Sequence, residues 1–161
     1  MTFAELTIGE LEAAACIVEI QDGNHGEKHP KANNYVPEGI PFIMASDIRD
    51  GRVDLEGANK LPQDITDKLR IGFCEGGDVL LSHKGSVGYV ATAPDHFPYL
   101  MLTPQVTYYR VDDEKLSPDF LSYAFKDPLF QKRLINFAGE QGTRGYVGIR
   151  AQRKLKIRFG T

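Results

Sequence analysis

Apolar residues occur in this sequence in short runs, and glycine-containing turn sequences separate one run from the next. Val79–Ser82 follows the pair Gly76-Gly77, and Val106–Val111 interleaves apolar and aromatic residues with polar ones. Runs this short predict strands, because a core-packed helix needs about 10 residues or more. None approaches the ~18 apolar residues of a membrane-spanning helix. The core must therefore be built largely from several short strands.

Three segments have helical patterns. Thr7 with Glu10 forms a capping-box sequence before a short alanine-rich run, and Ser117-Pro118 places an N-cap and a first-turn proline before another apolar run. A third helix is predicted at Leu61–Leu69, with Pro62 in its first turn. Further strands are predicted at Ile17–Ile20, Ile40–Met44, Arg52–Leu55, Tyr89–Thr92 and Leu155–Phe159. The 161 residues thus predict one α+β domain, residues 1–161, with several short twisted strands and two or three helices.

The two cysteines, Cys16 and Cys74, are too few for a disulfide framework and lie in apolar surroundings. We therefore expect both to be buried, reduced thiols and expect no zinc site. Residues 1–12 contain acidic residues and no basic cluster, which is unlike a secretory signal. These features predict a cytoplasmic protein that does not associate with a membrane.

The charges are distributed unevenly along the chain. Residues 131–161 contain eight basic residues and one acidic residue, a net charge of +7, so residues 1–130 carry −10 of the overall −3. Because exposed charges are screened beyond about 8 Å at physiological salt, a local basic surface can hold DNA on an acidic protein. The alternative is that these side chains are spread over separate solvated faces.

The first loop, Asp22–Lys31, is long, polar and rich in turn-forming residues. A calcium-binding loop needs carboxylates at alternating positions and a glutamate at position 12. Only Asp22 and Asn24 fit that pattern, which is too little to predict a calcium site. The DNA-binding interpretation is that four side chains reach base edges and phosphates: Asn24, His25, Lys28 and Lys31. The alternative interpretation is a polar surface loop without a ligand.

The second loop, Ser82–Gly88, contains glycines that let a partner approach the backbone closely. Lys84 and Ser86 are candidates for phosphate contacts. The loop lacks the Walker A pattern. Ser82 and His83 are neighbours on a predicted strand and point to opposite faces, so they do not form a nucleophile–base pair.

The third loop, Gln141–Arg150, combines glycines with side chains suited to DNA. Arg144 and Arg150 can donate to phosphate or guanine, Gln141 can pair with adenine, and Tyr146 can pack on a sugar. A charged turn between a helix and an edge strand is the simpler alternative.

The order of several motifs along the chain is characteristic. They are Gly39–Ile43 with Asp47-Ile48 and Gly51; Gly77–Ser82 with Lys84–Gly88 and Ala91; Gln105–Arg110 with Leu116–Leu121; and Gly142-Thr143 with Ile149, Leu155 and Ile157. Together they resemble a target-recognition domain of the specificity subunits of type I restriction-modification systems. The resemblance covers about residues 7–158.

This resemblance implies an α+β domain with long DNA-facing loops that reads half of a bipartite double-stranded DNA site. The domain itself would be non-catalytic and hold no cofactor; S-adenosylmethionine, ATP and Mg would belong to partner subunits. Those partners are a DNA methyltransferase subunit and, with it, the restriction subunit. Family members have two such domains and long spacer helices, whereas this sequence has one domain and ends before a Pro-Leu-Pro segment and spacer helix.

Two other functions are compatible with the sequence. A solitary domain could act by binding and regulating a methyltransferase or specificity subunit. A nuclease or other hydrolase would require metal-dependent turnover, yet no carboxylate pair stands out as general acid and base. No Gly-x-Gly-x-x-Gly motif follows a strand, which argues against a dinucleotide cofactor.

Overall fold

The computed structural model describes residues 3–23, 29–140 and 146–160. The strands in these ranges are β1 Phe3–Thr7, β2 Ile17–Asp22, β3 Ile40–Ile43, β4 Ile48–Arg49, β5 Arg52–Val53, β6 Asn59–Leu61, β7 Phe73–Cys74, β8 Val79–Ser82, β9 Val90–Thr92, β10 Leu100–Leu102, β11 Val106–Val111 and β12 Lys156–Gly160. The helices are α1 Ile8–Ala13, α2 Gln63–Thr66, α3 Pro118–Lys126, α4 Pro128–Glu140 and α5 Ile149–Gln152. The predicted α+β class is confirmed, and α2 and α5 are single turns.

The central sheet has the strand order β2-β11-β8-β9 and is antiparallel throughout. Both of its faces are buried. Val79, Leu81 and Tyr109 belong to one apolar cluster, whereas Leu80 and Tyr108 belong to another. This alternation follows from the two-residue period of a strand.

A second, mixed sheet has the order β6-β3-β10-β7. Its strands β3 and β10 are parallel, and the outer two pairings are antiparallel. Leu100 and Leu102 pack with the central sheet, while Met101 faces a third cluster with Phe42 and Leu61. The second sheet therefore covers one face of the central sheet.

Helices cover the other face of the central sheet. Leu121 and Phe125 of α3 and Phe130 and Leu134 of α4 are buried in the same cluster as Tyr109. The antiparallel pair β1–β12 completes this layer. None of the helices in the described ranges is long and apolar enough to cross a membrane.

The helix starts predicted at Thr7 and Ser117 are confirmed. The Thr7 hydroxyl accepts from the Glu10 amide, and the Glu10 carboxylate accepts from the Thr7 amide, both at 3.0 Å. Ser117 caps α3 and Pro118 occupies its first turn. Each cap satisfies backbone donors that a helix start leaves without partners.

Two predictions require correction. The helix predicted at Leu61–Leu69 is wrong, because Leu61 ends strand β6 and only Gln63–Thr66 is helical, with Pro62 as its N-cap. Leu61 pairs with Ile40 in the second sheet, and this tertiary pairing overrides the local helical pattern. Both cysteines are free thiols as predicted, but Cys16 is half-buried.

Arg110 on β11 connects the two sheets. Its main partner is Asp78, whose carboxylate is almost completely buried. Its guanidinium donates to both Asp78 carboxylate oxygens, at 3.0 and 2.8 Å, and to Glu19 at 2.8 Å. It also donates to the Phe73 carbonyl of the second sheet at 3.3 Å. Hydrogen bonding to Asp78 raises the pKa of Arg110, so the guanidinium stays charged.

We expect Arg110→Leu to lower the free energy of unfolding by about 2–3 kcal/mol, because it leaves the Asp78 carboxylate buried without its partner. Urea denaturation measures the change. The control is Arg153→Gln, which breaks the exposed ion pair with Glu12 and should cost less than about 1 kcal/mol. Equal effects of the two substitutions would contradict the role given to Arg110.

Candidate DNA-binding surface

The first and second loops leave the same end of the central sheet. Asp22, the last residue of β2, pairs with Thr107, and Ser82, the last residue of β8, pairs with Val106. Thr107 and Val106 are adjacent on β11, so β2 and β8 end at the same level on either side of it. The two loops are therefore neighbours, although they are separated by about sixty residues of sequence.

The third loop is joined to the second. Lys84 forms an isolated antiparallel bridge with Tyr146. The Val147 amide donates to the His83 carbonyl at 2.8 Å. All three sequence-predicted loops are consequently anchored at one end of the central sheet. We treat this end of the molecule as a single candidate surface.

His83 lies beneath the anchor points of the three loops. Its side chain is fully buried, and its Nε2 lies 4.0 Å from a carboxylate oxygen of Asp22 at the start of the first loop. Its ring centroid is 5.7 Å from that of Tyr146 in the third loop. The His83 amide donates to the Gln105 carbonyl at 2.9 Å. His83 thus contacts residues from each loop anchor, and we assign it a structural role.

Ser82 has a different set of partners. Its hydroxyl accepts from the Tyr89 amide at 2.8 Å, which closes the base of the second loop. Ser82 and His83 are both buried and bond to different segments. This supports the prediction that they are not a nucleophile–base pair. Among the described residues, no group of three or more His, Cys, Asp or Glu could hold a metal ion.

Gln152 fixes the end of the third loop to the central sheet. This fully buried amide donates to the Thr107 hydroxyl at 3.0 Å and to the Val147 carbonyl at 2.8 Å. Its oxygen accepts from the Tyr109 hydroxyl. Burial raises the pKa of Tyr109, so this hydroxyl remains a donor.

We expect Gln152→Leu to destabilise the protein by about 2–4 kcal/mol, because it leaves buried partners on Tyr109, Thr107 and Val147 unsatisfied. Hydrogen exchange of the Val147 amide should accelerate more than that of amides in the middle of β11. The exposed Gln63 provides the control, since Gln63→Leu removes no such bonds. Unchanged protection at Val147 would contradict this role for Gln152.

Gly23 begins the first loop where the two sheets meet. A Cβ on Gly23 would lie 2.1 Å from the Leu102 carbonyl oxygen and 2.2 Å from backbone atoms of Thr103. Backbone cannot move aside as a flexible side chain can, so only glycine fits here. Gly23 therefore sets the direction in which the first loop leaves β2.

We expect Gly23→Ala to cost about 2 kcal/mol or more, because the methyl group overlaps backbone of the adjacent strand. The matched control is Gly139→Ala in α4, where an added Cβ meets nothing within 4 Å. That substitution should stabilise the protein by up to about 1 kcal/mol through helix propensity. Thermal unfolding of both variants checks the predicted opposite signs.

The structure places five of the predicted DNA-contacting residues. Lys84 and Ser86 are exposed on the second loop. Tyr146 and Arg150 line a small cleft of about 260 Å³ together with Lys154, a residue that sequence reasoning missed. Lys31 is exposed at the start of a single 3-10 turn, Ala32–Asn34. The other candidates lie outside the described residues: Asn24, His25, Lys28, Gln141 and Arg144.

The basic residues of the 131–161 stretch do not all belong to one DNA-facing surface. Arg133 lies 3.0 Å from Glu5, Arg153 pairs with Glu12 at 2.8 Å, and Arg158 pairs with Asp127 at 2.9 Å. These pairs connect α4, β12 and α5 to neighbouring elements. Part of the local excess of positive charge is therefore neutralised within the fold.

Solved structures with a similar fold come from type I restriction-modification systems. The HsdS subunit from Thermoanaerobacter tengcongensis matches 98% of this chain with a TM-score of 0.60 and 18% sequence identity. A chain from a study of complex assembly and conformational transition of a type I R-M system matches 98%, with a TM-score of 0.66 and 17% identity. The S subunit from M. genitalium matches 99%, with a TM-score of 0.62 and 19% identity.

The chain therefore has the fold of a single domain of type I S subunits, as the sequence motifs predicted. It spans about a third of the length of these structures, since the matches cover 33% or 34% of each. No protein-family model matches the sequence. No curated protein is significantly similar to it.

Proposed function

We propose that this chain is a sequence-specific reader of double-stranded DNA that recognises half of a bipartite site for a type I restriction-modification complex. The observation that carries this proposal is the convergence of three polar, glycine-rich loops at one end of the central sheet, on the fold of an S-subunit domain. Loops held by a rigid sheet are suited to placing side chains against base edges.

In this proposal the chain is non-catalytic, and the chemistry belongs to its partners. A methyltransferase subunit would bind S-adenosylmethionine, and a restriction subunit would use ATP and Mg. Lys84 and Ser86 contact phosphate, and the side chains proposed to face the groove are Asn24, His25, Lys28, Gln141, Arg144 and Tyr146. Lys31 and Arg150 are further candidates for contacts with bases or phosphate. Phosphate contacts set the register of the protein, and base contacts supply the sequence preference.

The acidic remainder of the chain favours a second candidate function. Residues 1–130 carry −10, and three of the arginines beyond them are paired internally. A domain of this kind could act mainly by binding a methyltransferase or another specificity subunit and regulating it. The two functions differ in whether the protein binds duplex DNA at low salt.

Selection from a random duplex pool tests the proposal. We expect the protein, alone or with a methyltransferase subunit, to enrich a consensus of about 3–5 base pairs. Lys84→Glu should weaken binding about tenfold and reduce the salt dependence, because a phosphate contact is lost.

Lys115→Glu is the matched control, because Lys115 follows the opposite end of β11 and the substitution makes the same charge change. No enrichment in either condition would refute DNA reading. Binding of the methyltransferase subunit without any duplex affinity would favour the regulatory function instead.

A further inference from the structure

A cleft of about 710 Å³ lies beside the second loop, and Ser86 is the one sequence-predicted DNA contact among its described lining residues. One wall is the β4–β5 hairpin with the turn before it, and the opposite wall is the segment from Ser86 to Val90. The end of α3 contributes Lys126. Its polar, charged and aromatic lining residues are Ser46, Arg49, Asp50, Ser86, Tyr89 and Lys126.

Positive charge is concentrated on the hairpin side of this cleft. Arg49 and Arg52 are directly opposite each other across β4 and β5. Like charges in that position repel each other and weaken the pairing. Lys126 adds a third cation, because its Nζ lies next to Gly51 in the turn between β4 and β5. A Cβ added to Gly51 would be 3.1 Å from that Nζ.

These three cations form no ion pair within the described ranges. Arg49 donates through Nε to the Ser46 carbonyl at 3.1 Å, which leaves its two terminal amino groups available. Asp50, at the tip of the hairpin, is the single acidic residue among those lining the cleft. Within the described ranges, Arg49, Arg52 and Lys126 therefore lack the short ion pairs that Arg133, Arg153 and Arg158 form.

The walls of the cleft are tied to the loop anchors. The Gln105 side-chain oxygen accepts from the Ala45 amide at 3.1 Å. The backbone carbonyl of Gln105 accepts from the His83 amide. On the other side, Gln131 of α4 donates to the carbonyls of Gly88 and Phe125, at 3.0 and 2.7 Å. The hairpin, the second loop and the end of α3 are thus held in fixed relative positions.

The lining matches the chemistry of a sugar-phosphate backbone. Two cations and the Ser46 and Ser86 hydroxyls can donate to phosphate oxygens. The ring of Tyr89, about half exposed, offers a face for a deoxyribose, and Ile48 and Val90 form an apolar floor. A single small anion would leave most of this volume empty, whereas a continuous backbone can pass through an open cleft.

We propose that this cleft binds the backbone of duplex DNA through Arg49 and Lys126, next to the bases that the three loops read. The inference rests on the proposed function and adds a backbone-binding site to it. Binding relieves the repulsion between Arg49 and Arg52, since phosphate supplies the missing counter-charge. Because the contacts involve no bases, the cleft contributes equally to every sequence and fixes the register of the loops.

The test compares duplex binding of the full chain and of the double variant Arg49→Gln/Lys126→Gln, using the consensus duplex or, lacking one, a fixed random-sequence duplex. We expect a loss on the order of tenfold at 0.1 M salt, equal for consensus and unrelated duplexes, and a salt slope smaller by about 1.8. Lys68→Gln/Arg70→Gln is the matched control, with the same charge change at two exposed residues outside the cleft.

A second measurement uses the same proteins and duplexes that carry one neutral methylphosphonate at successive backbone positions. We expect the methylphosphonate at one position or more to weaken duplex binding by the unchanged protein. At the same position it should not weaken binding by the double variant any further. Asp50→Asn should bind more tightly than the unchanged protein, because Asn tolerates the positive φ of 52° and removes a repulsive charge.

The outcomes separate this inference from the function on which it rests. If the unchanged protein binds no duplex either alone or with the methyltransferase subunit, both fail. If it binds duplex and the cleft and control variants bind equally well, the cleft proposal alone is overturned. Loss of methyltransferase binding by the cleft variant with unchanged DNA affinity would likewise overturn it, and would make the cleft a protein-binding surface.

Discussion

The burial of the central sheet on both faces is the constraint on which the rest of the structure depends. With helices on one side and the second sheet on the other, β8 is buried throughout and β11 is buried over its first four residues. Polar side chains that serve a ligand must therefore be placed beyond these buried segments. The first and second loops begin where β2 and β8 end, the third is joined to the second through Lys84 and Tyr146, and the buried polar groups Gln152 and His83 lie beneath them.

Much of the fold was predictable because local signals and tertiary structure agree. The strand Val106–Val111 and the helix starts at Thr7 and Ser117 are correct to the residue. The sequence did not predict β7 or β10, because strands of two or three residues have too few positions for a periodic pattern. Leu61 was assigned to a helix because its pairing with Ile40 depends on residues about twenty positions away.

The sequence was enough to predict which loops form the candidate site, but not that these loops lie next to each other. Turn-forming and hydrogen-bonding residues identified the three loops, yet only the strand register shows that they are adjacent. His83, Gln152 and Gly23 carry no local signal for an anchoring role, since that role comes from partners far along the chain. The net charge of the 131–161 stretch overstated its basic surface, because ion pairs cannot be read from charge counts. For the same reason, the cluster of Arg49, Arg52 and Lys126, which forms no ion pair in the part of the chain that the structure describes, was overlooked.

The anchoring of the loops separates the contacts that hold the loops in place from the side chains that form the loop surface. Gly23 holds the start of the first loop through its close fit against the backbone of Leu102 and Thr103, and the Val147 amide holds the end of the third loop through the His83 carbonyl. Both are contacts of the main chain, so neither depends on which side chains the loops carry. In evolutionary terms, loops held by their main chain can change their surface chemistry while these two anchors stay in place.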